Sequence, residues 1–272
     1  AQWLAAFLNK EPESRKEKAI NVVKTLGYDI QEVNINLSGR SWDISAGGKL
    51  VQPLTSIKGL GDKAMDQILK HRPFNNVEEL LFNENISYSK LNKKSLDVLV
   101  RSGACDSISD PRFKNCKHLW LSTAFDRPKT EKKLEENIAK YLSESDFSES
   151  EKIDNVVNLT GIFPFDLVLD KKVKERLEFY KVPPLAHFDP ALKNCWFIPR
   201  EIIIKQTRNG KTFWILNVID DTCQTTKIMC WNVWASSEIL LNRPYMGKLE
   251  HSDQWGYSVR FKKDEPKLKL IG

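Results

Sequence analysis

The sequence predicts an α+β chain: helices with short strands first, and a small β-barrel last. Three observations carry this. Gly59 and Gly61 form a Gly-x-Gly pair with an amphipathic helix starting directly behind it, over Asp62–His71. A similar helix over Lys93–Arg101 opens on Asn92-Lys93-Lys94 and closes on Ser102-Gly103, as a degenerate second copy of the same unit. From residue 196 the texture changes to alternating strands broken by turn residues, with Asn209-Gly210 marking a tight hairpin. The first two observations are the signature of tandem helix-hairpin-helix units. The third, three meandering strands, a helix and two more strands, is the order of an OB-fold.

Along the chain, residues 13–26 place Ala19, Ile20, Val22, Val23 and Leu26 on one side of a charged helix, with Gly27 where a C-terminal cap belongs. Strands are expected over 29–35 and 41–51, the second broken at Gly47-Gly48. The helix after the glycines turns Ala64, Met65, Ile68 and Leu69 inward and Lys63, Asp66, Gln67 and Lys70 outward, and Pro73 stops it. Short helices fit 77–82 and 93–101. Residues 129–142 read as a solvated charged helix and 143–151 as a Ser/Asp/Glu linker, followed by a helix over 170–180. Strands are then expected over 196–207, 212–219 and 226–234, a helix over 236–241, and two weaker strands near Lys248 and over 258–261.

The Gly-x-Gly unit offers phosphate-binding chemistry. Glycines let a turn's backbone approach a ligand with no Cβ in the way, and the next helix begins with free N–H groups and its positive dipole end at that point. Lys58 and Lys63 flank the turn as point charges. A dinucleotide-binding loop would need a preceding strand and a third glycine, and position 64 is Ala64. Nothing here reads a base, so the expected ligand is a nucleic-acid backbone bound without sequence preference. In the last third, Arg208, Lys211 and Lys227 lie near turns, where they suit backbone contacts. Five of the eight tryptophans (Trp196, Trp214, Trp231, Trp234 and Trp255) lie there too. One or two are expected to stack single-stranded bases, with Trp214 the named candidate, and the others to fill the core.

Of 272 residues, 29% are charged and 41% hydrophobic, a globular balance with room for two or three modules. The excess of 42 basic over 36 acidic residues permits a nucleic-acid partner without requiring one. No stretch approaches a membrane span, and the start at Ala1 without methionine is read as a cut inside a longer polypeptide. Five cysteines without a C-x-x-C pair suit reduced thiols in a cytoplasmic setting. Cys116 and His118 have no second ligand pair nearby. Asp220-Asp221, the one adjacent aspartate pair, falls on a predicted turn, where it suits turn stabilisation better than metal binding. No catalytic residue, resident metal site or cofactor is expected in this segment.

With those residues laid out, the first half resembles the C-family replicative DNA polymerases, the alpha subunit of bacterial DNA polymerase III. Leu26-Gly27-Tyr28 with Val33-Asn34-Ile35-Asn36-Leu37-Ser38 resembles that family's "G-I … P-D-I-N-x-S". Ile57-Lys58-Gly59-Leu60-Gly61 resembles its "I-K-G-V-G" hairpin, and Asn92-Lys93-Lys94-Ser95-Leu96 with Gly103-Ala104-Cys105-Asp106 its "N-k-r-x-L-E … G-A-F-D". Asn34, Pro53 and Cys105 depart from the pattern, and past Asp106 the likeness thins, which suggests a phage-type or otherwise distant homologue.

The resemblance implies the carboxy-terminal portion of a DNA-directed DNA polymerase: the end of the fingers over 1–48, tandem hairpins over 49–125, a helical linker over 126–194 and an OB-fold over 195–272. Lys58, Gly59, Gly61, Lys63, Lys93 and Lys94 would grip duplex primer–template phosphates, and Arg208, Lys211, Lys227 and Trp214 single-stranded template. The catalytic carboxylates and their Mg2+ would lie in a palm upstream. Expected partners are primer–template and single-stranded DNA, the polymerase's own palm and thumb, and a sliding clamp, for which no motif is legible; no membrane is expected. The setting would be a nucleoid or an infected bacterial cytoplasm. A stand-alone replication or repair accessory factor and a protein-interaction scaffold remain the alternatives.

Overall fold

A computed structural model describes residues 1–222, 224–233, 238–262 and 267–271. They form two compact units, residues 1–163 and 164–272. In the first, helices α1 (Gln2–Lys10) and α2 (Glu13–Thr25) precede a small sheet of β1 (Ile30–Gln31), β2 (Asp43–Ile44) and β3 (Leu50–Val51), with β3 central. Leu4, Leu8, Ile20, Val23, Trp42 and Leu50 pack the helices onto this sheet. The strand expected over 29–35 is only two residues long, because the Asn34 side chain accepts the Asn36 N–H at 2.9 Å and turns the chain.

Helices α3 (Asp62–His71), α4 (Val77–Phe82) and α5 (Lys93–Arg101) lie where the periodicity predicts. Ile57, Leu60, Met65, Ile68, Leu96, Leu99 and Val100 belong to one buried cluster, so both hairpin units share a core. Each alone would bury little apolar surface. Gln67, expected outward, is buried: its Oε1 accepts the Ser87 N–H at 3.0 Å, tying α3 to the turn before α5. Leu69 is half-buried.

Helix α6 (Cys116–Trp120) runs into a π turn (Leu121–Phe125), and α7 (Glu131–Tyr141) and α8 (Glu149–Thr160) follow. The linker expected over 143–151 thus ends inside a helix. Its Ser148 is an N-cap, with Ser148 and Glu151 forming a reciprocal capping box. Leu134, Ile138 and Leu159 join the hairpin core. Arg101 donates to Asn155 Oδ1 from Nε (3.0 Å) and Nη2 (2.7 Å), holding α8 against α5. His118 is fully buried and both ring nitrogens are engaged: Nδ1 accepts the Lys114 N–H and Nε2 donates to the Ile138 carbonyl. Burial pushes the neighbouring Cys116 thiol up to about 12.

Asp146 supports a pH prediction. Burial raises its carboxyl, but an ion pair with Lys152 and the N–H groups of Lys117 and Phe147 outweigh that and hold it below the ordinary value. A depressed folded-state pKa contributes stability that is complete above the unfolded value near ~3.9 and is lost as pH falls through the folded value. Asp146→Asn should destabilise the chain by roughly 1–2 kcal/mol at neutral pH, allowing for partial exposure. Denaturant titrations of both proteins should give a constant difference from pH 7 to 5 and a shrinking one below about pH 4. A difference that does not change with pH would show that the carboxylate charge is immaterial.

The second unit opens with α9 (Phe165–Val168) and α10 (Lys171–Phe179). Strands β4 (Asn194–Gln206), β5 (Thr212–Ile219), β6 (Thr226–Trp231), β7 (Tyr245–Lys248), β8 (Glu250–Ser252), β9 (Gly256–Arg260) and β10 (Leu268–Leu270) form one mixed sheet in the order β10-β7-β4-β5-β6-β9-β8. Among the described strands of this sheet, β6 and β9 are the one parallel pair. Buried Leu249 alone separates β7 from β8, so the 245–252 stretch pairs with β4 at its start and with β9 at its end. The sheet therefore curls round on itself, over a core of Phe197, Leu216, Val218, Ile228, Cys230 and Val259. Gly247 of β7 pairs with Leu268 of β10, and a Cβ there would collide with Leu268 and the Lys267 carbonyl.

Strand β6 stops at Trp231, short of the expected 234, as Asn232 takes a left-handed φ of 55°. Trp234 and Cys223 lie outside the described residues, as do positions 236 and 237 of the expected 236–241 helix. Residues 238–241 are not helical, and the Leu240 N–H donates to the Tyr245 hydroxyl at 2.9 Å. Strand β10 had no clear signal in the sequence.

Candidate nucleic-acid interface

Gly59 adopts φ +90°, in the left-handed region, between buried Ile57 and Leu60. Gly61 has φ −77° and ψ 154° and forms the N-cap of α3. The two glycines thus differ: the turn requires a glycine at 59, while any residue could adopt the backbone at 61. A cavity of about 410 Å³ opens beside them, lined by Gly59, Gly61, Lys63, Lys90, Lys94 and Ser95 among others. Lys94 comes from the second hairpin unit, and its Cε lies 3.8 Å from where a Cβ on Gly59 would stand. The two units therefore converge on one concave surface carrying three lysines. Asp62 also lines it and is paired with Arg40 at 3.2 Å. Hydrogen bonds to Asp66 and then Asp62 raise the Arg40 guanidinium above its ordinary value.

Lys58 and Lys93 point elsewhere. The Lys58 N–H donates to the Leu159 carbonyl at 2.7 Å, and its ammonium lies near Gly161, at the C-terminal end of α8 where a cation is favoured. Lys93 lines a neighbouring cavity, with its ammonium 5.2 Å from the Phe125 ring centroid. Lys90 was missed in the sequence, having no Gly-x-Gly beside it. It is brought in by the turn in which the Lys90 and Leu91 N–H groups donate to the Ser87 carbonyl.

On the curled sheet, directly opposed residues share a face. Lys205 opposes Phe213, and Trp231 opposes Arg260. Phe213 stacks on Trp231 with centroids 4.8 Å apart and planes 25° off parallel. The resulting row, Lys205–Phe213–Trp231–Arg260, crosses four strands with cations at both ends. Lys227, paired with Asn217, lies on the same face, while exposed Arg208 and Lys211 sit in the β4–β5 turn. Trp214 occupies the opposite face, packed against the inner cluster and edge-on to Phe261 at 6.4 Å. Trp255, 64% exposed, sits in the β8–β9 turn. Asp220 is buried and saturated with donors: Oδ2 accepts the Ala186 N–H, and Oδ1 accepts the Thr222 N–H and hydroxyl. Among the described residues no group of three or more His, Cys, Asp or Glu side chains could hold a metal, and no helix is long and apolar enough to cross a membrane.

Residues 27–114, the stretch that holds both hairpin units, match the family model described as a helix-hairpin-helix motif. The chain is similar, further, to a C-terminal portion of DNA polymerase III subunit alpha. It is 27% identical to that of Buchnera aphidicola subsp. Acyrthosiphon pisum (strain APS) over 116 residues, covering 41% of this chain and 10% of the relative. It is 29% identical to the subunit of Helicobacter pylori (strain ATCC 700392 / 26695) over 122 residues, with 41% and 10% covered. For that of Thermus aquaticus the identity is 27% over 115 residues, with 40% and 9% covered. The matched region thus spans about a tenth of these relatives.

Proposed function

We propose that this chain is the DNA-gripping part of a replicative DNA polymerase. The hairpin cavity takes backbone phosphates of duplex primer–template, and the curled sheet takes single-stranded template. The observation that carries the reading is the convergence of Gly59, Lys63, Lys90 and Lys94 from two hairpin units on one concave surface. Free N–H groups and lysines there suit phosphate oxygens and carry no base preference. The strand order, with 245–252 bridging β4 to β9 and β6 parallel to β9, supports an OB-fold over 195–272. In such a fold the outer row on β5 and β6 and the β4–β5 and β8–β9 turns are where an oligonucleotide lies.

Polymerisation itself would be performed by a palm outside this sequence, whose carboxylates would hold the Mg2+. The donors on Asp220 leave its carboxylate poorly suited to a metal. The palm, the thumb and a sliding clamp are the proposed protein partners, and a cytoplasmic site of replication the proposed setting.

Fluorescence anisotropy against labelled primer–template duplex and single strand, over a salt series, tests the reading. Both affinities should fall steeply with salt, and Lys94→Ala should lower the duplex salt slope by about one while leaving the single-strand slope unchanged. Binding that ignores salt would favour the protein scaffold instead.

A further inference from the structure

We propose that the cavity beside the second hairpin holds an unpaired nucleobase, from a strand whose phosphate rests on Lys94. The cavity measures about 390 Å³ and is lined by Lys93, Lys94, Asp97, Trp120, Ala124 and Phe125. Lys94 also lines the phosphate cavity, so the two cavities adjoin at this side chain. This inference therefore rests on the hairpin reading and extends it from backbone to base.

The floor is an exposed aromatic surface held in place from behind. Phe125 is 49% exposed and leans on Trp120, with centroids 5.3 Å apart. Trp120 Nε1 donates to Asp97 Oδ1 at 2.7 Å, and Phe147 backs the indole at 5.7 Å. The π turn places Phe125 there: the Asp126 N–H donates five residues back, to the Leu121 carbonyl, at 3.0 Å. Asn137 Nδ2 secures the widened turn, donating to the Ser122 and Asp126 carbonyls at 3.2 and 2.5 Å. The turn closes helix α6, and its extra residue sets the direction in which Phe125 leaves the helix.

The chemistry selects a base over an apolar peptide. The Lys93 ammonium lies over the Phe125 ring on a flexible, exposed stem. A phosphate arriving at Lys94 would draw it aside and bare the ring for a π face. Asp97, whose Oδ1 accepts from Trp120 and whose Oδ2 pairs with Arg101 at 3.4 Å, keeps further lone pairs at the rim that suit a base's exocyclic amine better than a phosphate. The phosphate therefore falls on the lysine side and the base over the ring. A paired base is enclosed in its stack, so only an unpaired one fits.

The test uses the whole chain and duplexes carrying one unpaired 2-aminopurine or one abasic residue on either strand end, with a blunt duplex as reference. On one polarity the base should tighten binding about fivefold or more over the abasic site and its fluorescence should quench. Phe125→Tyr should keep that ratio. Phe125→Leu should bring it to one with blunt-duplex affinity unchanged, which separates this cavity from stacking on the curled sheet. A ratio of one in the wild type, or an unaltered ratio in Phe125→Leu, overturns the proposal while leaving the hairpin reading intact. Failure to bind blunt duplex overturns both.

Discussion

Replacing Gly59 with Val should weaken duplex binding by tenfold or more while leaving the second unit folded and its single-strand affinity unchanged. At φ +90° an L-residue pays about 1–2 kcal/mol in backbone strain, and a β-branched side chain pays more. The Cβ would meet Val98 Cγ1 at 3.5 Å and Lys94 Cε at 3.8 Å, ordinary contacts, but the added methyls would press on the lysine that completes the cavity. The turn must then change conformation, and its N–H groups leave the phosphate site. Gly61→Ala provides the contrast: its backbone suits any residue and nothing lies within 4 Å of its Cβ. It should fold normally, so any loss of affinity in that variant reports how closely a phosphate approaches. Anisotropy at moderate salt measures both, and an unchanged duplex Kd in Gly59→Val would sink the assignment.

Phe213→Ala combined with Trp231→Ala should abolish most single-strand binding, by about 10- to 100-fold or more, with duplex affinity retained. Base–aromatic stacking contributes roughly 1–3 kcal/mol per base, and the pair presents two rings between Lys205 and Arg260. Trp214→Ala should behave differently: its ring packs on the inner cluster, so the substitution should lower the unit's stability more than its affinity. Single-strand affinity that survives the double substitution would move the strand off this face, to the turns bearing Arg208, Lys211 and Trp255.

The hairpin units were legible because their signals are local. A 3.6-residue period sets α3 and α5, Asn92 caps α5 by accepting the Ser95 N–H, and a Gly-x-Gly pair turns the chain before α3. The start of helix α8 reads as a linker because it is acidic and serine-rich; the capping box between Ser148 and Glu151 is the helix signal within it. Gln67 looked solvent-facing because no pattern in its own helix announces the Ser87 N–H that it accepts from twenty residues away.

The sequence by itself determined the hairpin helices α3 to α5 and the strands β4 to β6, and that glycine and lysine gather around a phosphate-type turn. It also carried the likeness to a polymerase subunit. The tertiary structure alone decided that Lys94 and Lys90 join Gly59 while Lys58 turns to the end of α8, and that only one of the two glycines is conformationally required. It alone decided which side of β5 faces inward, leaving Phe213 and Trp231 on the outer face and Trp214 against the core. The physical reason is common to all of these. A period of two or 3.6 residues divides an element into faces, but which face is buried and which cations converge depends on contacts between residues distant along the chain.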